Sequence, residues 1–143
     1  QLAEEIAAGR DTGDSLRPDR LLELYLEMAR QAELRAKTAA ALKTNQPAEI
    51  ARFTSDAQAL VLTVEYYQLK VLAALNKRLL EKTGEERYAV EMSRLMEASV
   101  PKYEELIAHA KRFYRAGSSM FSAETWDATL EKKVKPDLET QRV

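Results

Sequence analysis

The feature that most constrains this chain is how rarely it breaks a helix. Its 143 residues hold four glycines and four prolines, and most of these stand where a helix should begin or end. Pro18 in "SLRPDR" and Pro47 in "TNQPAE" suit the first helical position, where the missing N–H costs no bond. Gly84 in "EKTGEE" suits the left-handed residue that closes a helix, and Thr83 with Glu86 has capping-box spacing for the next start. Gly117 can close another helix and Ser122 can cap the one after it. Phe121 and Trp126 have the spacing of a hydrophobic staple there, which favours packing for Trp126. These marks predict helices over about 18–44, 47–82, 85–115 and 123–135, with a short one at 2–8. Pro101 falls inside the third, where a kink is expected. Three long helices joined by tight turns must run antiparallel.

The expected fold is all-α: an antiparallel up-down helical bundle of three long helices plus a shorter C-terminal helix. Residues 1–17 read as a linker or short helix and 18–135 as the bundle domain. Residues 136–143 read as a frayed tail, because Pro136 should stop the last helix.

The same residues exclude most chemistry. Hydrophobic residues make up 45% and charged residues 31%, with a net charge of −1. Such a chain is built to fold and has no overall pull toward nucleic acid or an anionic membrane. No window approaches the roughly 20 apolar residues that cross a bilayer. Without cysteine there is no disulfide, thiolate or cysteine–metal chemistry. "QLAEEIAAGR" is no signal peptide and does not begin with Met, so the chain reads as a piece of something longer. His109 is the only histidine. Glu105, one helical turn before it, makes an acid–base pair possible, but no second histidine supports a di-metal site. "RDTGDS" lacks the ligand spacing of a calcium loop and reads as a capping turn. No catalytic residue, metal or cofactor is expected.

The most apolar run, "ALVLTVEYYQLKVLAALNKRLL" at 59–80, contains Glu65, Gln68 and Asn76. At about 100° per residue, Thr63, Lys70, Ala74, Lys77 and Glu81 form the solvent stripe of the second long helix. Gln58, Glu65 and Asn76 lie nearly opposite, among apolar positions. The first long helix offers Leu21, Tyr25, Met28, Ala32, Ala36 and Ala39 as its apolar face. The third offers Tyr88, Met92, Leu95, Met96, Tyr103, Leu106, Ala110 and Tyr114. Counting from the turns sets Glu65 level with Tyr103 and near Tyr25, and Gln58 level with Arg35. A buried carboxylate needs partners. Glu65 is therefore expected to accept a hydrogen bond from Tyr103 or Tyr25, with Arg35 and Gln58 in an adjoining buried polar layer. That layer either sets helix register or opens as a polar pocket.

Residues 14–115, notably "DSLRPDRLLELYLEMARQAEL", Tyr66-Tyr67, Lys70, Ala73-Ala74-Leu75 and Thr83-Gly84, resemble the all-helical C-terminal regions of large bacterial carbohydrate-active proteins. Those regions often follow a TIM-barrel glycoside hydrolase. Tyr103 stands where that pattern has tryptophan, and Pro101 interrupts a helix that is continuous there. The resemblance implies an exported, non-catalytic accessory module giving structural support or glycan contact, with an adjacent catalytic domain or a polysaccharide as partner. Exposed aromatics would make such a contact. Tyr66, Tyr67 and Lys70 are the first candidates and Trp126 a further one. The alternative is a stand-alone interaction or ligand-sensing bundle that holds a protein or small molecule between its helices.

Overall fold

The computed structural model describes residues 2–9, 17–42, 45–114 and 126–140. They form helices and turns, with no strand among them. The elements are α1 (Leu2–Ala7), α2 (Pro18–Ala40), α3 (Pro47–Thr83), α4 (Glu86–Phe113) and α5 (Trp126–Thr129). A π-helical turn (Leu130–Val134) and α6 (Lys135–Thr140) complete the chain. Pro18 and Pro47 open α2 and α3 as their spacing predicts. Gly84 closes α3 in the left-handed region at φ 70°, and its N–H reaches the Leu80 carbonyl at 2.8 Å. The capping box does not form. The Thr83 hydroxyl instead donates to the Leu79 carbonyl at 2.9 Å and accepts from the Glu85 N–H at 3.2 Å. Pro101 is exposed and α4 runs through it. The carbonyl it leaves without a helical donor belongs to Glu97, on the solvent side, where water can serve it.

α3 is the spine. Its 37 residues span about 55 Å, and both α2 and α4 pack against it while scarcely touching each other. The reason lies in its buried side chains. Val61 and Val64 meet Leu26 and Ala29 of α2. Tyr66 and Ala73 belong to clusters with α4, which contributes Tyr103, Leu106 and Ile107 to one and Met92, Leu95 and Met96 to the other. Val61 and Tyr66 point about 140° apart around the helix. α2 and α4 therefore flank α3 as an open layer rather than closing a triangle. α1 lies against the C-terminal part of α3, with a Lys82–Glu4 pair at 2.9 Å.

Two expectations need correction. α2 turns a different face to its neighbour: Leu26 and Ala29 are buried, whereas Tyr25, Met28 and Ala32 are exposed. The helix carries two adjacent apolar stripes, and with a single long neighbour it buries one of them. Nor is 136–143 a frayed tail, at least as far as residue 140. The chain stays helical past Pro136 because the turn beneath it is π-wound, with the Lys135 N–H bonded to the Leu130 carbonyl five residues back. That wider turn relieves the collision an α-helical carbonyl would make with the ring. Leu130 and Val134 then pack on Tyr66 and Tyr103, and Leu138 packs on the Ala73–Met92 cluster. Gly117, Phe121 and Ser122 lie outside the described residues.

Candidate functional site

Tyr66 and Tyr67 are neighbours in sequence, so their side chains leave α3 about 100° apart. One goes inward at 8% exposure and the other outward at 56%. This corrects the expectation for Tyr66, which is a core residue. Its ring packs on Tyr103 with centroids 4.9 Å apart and meets Tyr67 edge-on at 5.3 Å. Tyr103 in turn lies 6.3 Å from Trp126. The result is a row, Tyr67–Tyr66–Tyr103–Trp126, with a buried middle and exposed ends. Trp126 is 46% exposed. Burial, with the neighbouring Tyr103 phenol adding to it, pushes the Tyr66 hydroxyl up to about 12. Burial also raises Tyr103, although a hydrogen bond with Thr129 opposes the shift.

Lys70, placed by phase on the solvent stripe, is largely covered. Its ammonium meets Asp137 of α6 at 2.6 Å. The phase is sound, but α6 lies over that part of the stripe, which periodicity within α3 does not reveal.

The polar residues of α3 make a second feature, a notch between α2 and α4. Glu65 is half-buried and bridges all three helices, taking Arg30 of α2 at 3.0 Å and Lys102 of α4 at 3.2 Å. Burial pulls its carboxyl upward, but the hydrogen bonds from Arg30 and Lys102 outweigh this and hold it below the usual 4.5. Lys102 also pairs with Glu105 at 2.9 Å, and first Glu105 and then Glu65 raise its pKa. The level read from the turns was right, since Lys102 adjoins Tyr103. The expected partners were not: neither Tyr103 nor Tyr25 donates to Glu65, and Tyr25 is exposed. Gln58 and Arg35 are exposed too, so no buried polar layer forms. The Asn76 amide donates to its own helix at Leu72, 2.9 Å away. The line opposite the stripe exists, but α2 and α4 do not close over it, and water reaches it.

A third cluster joins α3 to α4. His109 is buried, with Nε2 at 3.1 Å from the Ser55 hydroxyl and 2.9 Å from the Ser55 carbonyl oxygen. Phe113 packs against the imidazole with centroids 4.7 Å apart. A carbonyl only accepts, so Nε2 carries the proton. In that state it cannot also take one from the serine, and the pair ties two helices together without activating a nucleophile. Glu105, the acid once possible for His109, faces Lys102 instead. Close by, Tyr114 donates to Asp56 at 2.6 Å. The sequence singled out His109 but not Ser55. Level counting from Gly84 places Ser55 within about one turn of it, so the contact was within reach.

Among the described residues no group of three His, Asp or Glu side chains could hold a metal ion, and no helix is long and apolar enough to cross a membrane. Compared with family models, curated proteins and solved structures, the chain matches none.

Proposed function

We propose that the chain is a non-catalytic helical accessory module of a larger carbohydrate-active protein, working by surface contact. The observation that supports this best is the aromatic row. Trp126 and Tyr67 present half-exposed rings whose positions are set by buried Tyr103 and Tyr66 behind them. A ring held by its neighbours loses little freedom when an apolar sugar face packs on it. The Lys70–Asp137 pair lies one turn along α3 from Tyr66 and offers hydrogen-bonding groups for hydroxyls near the rings. The polar clusters do not compete with this reading. Arg30 and Lys102 balance the charges of Glu65 and Glu105, and the His109 N–H donates to a backbone carbonyl.

The test is affinity electrophoresis through gels containing a panel of polysaccharides. Retardation by at least one of them is expected, lost in Trp126→Ala and weakened in Tyr67→Ala. Free migration in every gel, or retardation indifferent to both substitutions, overturns the proposal.

A further inference from the structure

The open layer leaves one apolar surface uncovered. Tyr25, Met28, Ala32, Leu60 and Val64 line a groove of about 330 Å³ between α2 and α3. Phe53, Leu60 and Tyr67 follow one another along α3 at intervals of seven, the spacing of a helix–helix seam. Tyr25, Met28, Phe53, Leu60 and Tyr67 are each between 48 and 60% exposed. An isolated exposed leucine needs no explanation, but a contiguous stripe of this kind marks an interface.

Further along, the next position at that interval is Ala74, an exposed residue at the edge of the cleft that Leu2 and Ala3 of α1 line with Val71 and Leu75. The seven-residue spacing is what a second helix packs against, and the stretch from Phe53 to Tyr67 leaves room for about 20 Å of one. Two observations select which helix. First, Phe53 and Tyr67 are equally distant from Leu60, so a two-fold axis at Leu60 sets that residue against itself and brings Phe53 level with the partner's Tyr67. Such self-matching is what an isologous interface requires. Second, the rims carry both signs, with Glu27 and Arg35 on α2 and Glu49, Arg52 and Asp56 on α3. A strongly basic or acidic partner gains nothing there, whereas a copy with net charge −1 is not repelled. The five large side chains expose on the order of 500 Å² per copy, judged from the roughly 150–250 Å² of an aromatic residue. Two copies therefore reach about the 1,000 Å² that a specific interface needs.

We propose that this groove is the interface of a two-fold homodimer, with α3 of each copy lying antiparallel in the α2/α3 groove of the other. Light scattering on a size-exclusion column should give twice the 16.2 kDa of one chain. Leu60→Glu and Met28→Glu should each halve that mass while leaving helical circular dichroism unchanged. Val90→Glu, at a 65% exposed position on α4, should leave it intact. The chain has no cysteine, so Leu60→Cys introduces a single thiol on the axis and should give a disulfide-linked pair on mild oxidation, whereas Val90→Cys should not. A mass of one chain at every concentration overturns the proposal. So does a dimer unmoved by both groove charges, or the absence of cross-linking at position 60. The dimer and the carbohydrate contact compete for Tyr67 alone, so Leu60→Glu should keep the retardation carried by Trp126 and free the Tyr67 ring to add to it, whereas Trp126→Ala should leave the mass unchanged.

Discussion

Replacing Glu65 with glutamine removes the charge from the one described side chain that is ion-paired to both α2 and α4. The magnitude follows from how open the notch is. The Glu65 side chain is 20% exposed, Lys102 34% and Arg30 55%. Ion pairs with this much water contribute between about 0 and 1 kcal/mol each. The glutamine oxygen can still accept from one partner, and Lys102 keeps Glu105. The expected loss is therefore about 0.5–1.5 kcal/mol near neutral pH. The sign of the pH dependence also follows. The folded-state pKa lies below the ordinary 4.5, so the stabilisation is present above that value and is lost as pH falls through the folded pKa. Urea denaturation of both proteins should give curves that differ near neutral pH and converge once the pH has fallen below the folded pKa. Arg30→Ala and Lys102→Ala should each couple to Glu65→Gln in double-mutant cycles. A loss above about 3 kcal/mol, or a difference that persists in acid, would refute the open notch and restore a buried carboxylate.

Three further outcomes follow from the packing. Met92→Ala empties a position at 2% exposure and should cost about 2–5 kcal/mol, whereas Val90→Ala on the open side of α4 should stay within about 0.5 kcal/mol; chemical denaturation measures both. α2 meets α3 through the four buried residues Leu26, Ala29, Val61 and Val64, so amide hydrogen exchange should be faster along α2 than along α4. The Tyr66 hydroxyl is raised from 10.0 to about 12 in the folded chain, so its contribution is intact below pH 10 and should be lost between about pH 10 and 12. Tyr66→Phe should move the alkaline unfolding midpoint upward, and an unchanged midpoint would show that the phenol is already hydrated.

Much of the fold can be read from punctuation. Pro18, Pro47 and Gly84 mark real helix ends because their backbone restrictions act locally and need no neighbour. The α4 face from Met92 to Ala110 is also legible, since one helix face meets one partner and periodicity reports it. The failures share a cause. Phase within a helix says which residues point together, not which neighbour covers them. Tyr25 and Met28 form as good a stripe as Leu26 and Ala29, and the choice between them depends on where α3 lies. Phase within α3 alone gives Lys70 and Glu65 opposite environments, yet α6 covers the first and an open notch wets the second. Pro136 is a stop signal only for an α-helical turn, and no sequence rule announces the π-turn that lets the chain continue. The row of rings depends on packing between α3, α4 and α5, so sequence identified Tyr67 and Trp126 as candidates without showing that buried rings hold them.

The most direct test of the contact reading uses the fact that Trp126 is the only tryptophan in the chain, so its emission reports one end of the aromatic row. Titration with oligosaccharides cut from a polysaccharide that retards the protein should shift and enhance that emission saturably, as a sugar face displaces water from the indole. The same titration of Tyr67→Ala should saturate at higher concentration. Emission that stays constant while the oligosaccharide demonstrably binds would contradict contact at Trp126, and with it the assignment of this surface as the working part of the module.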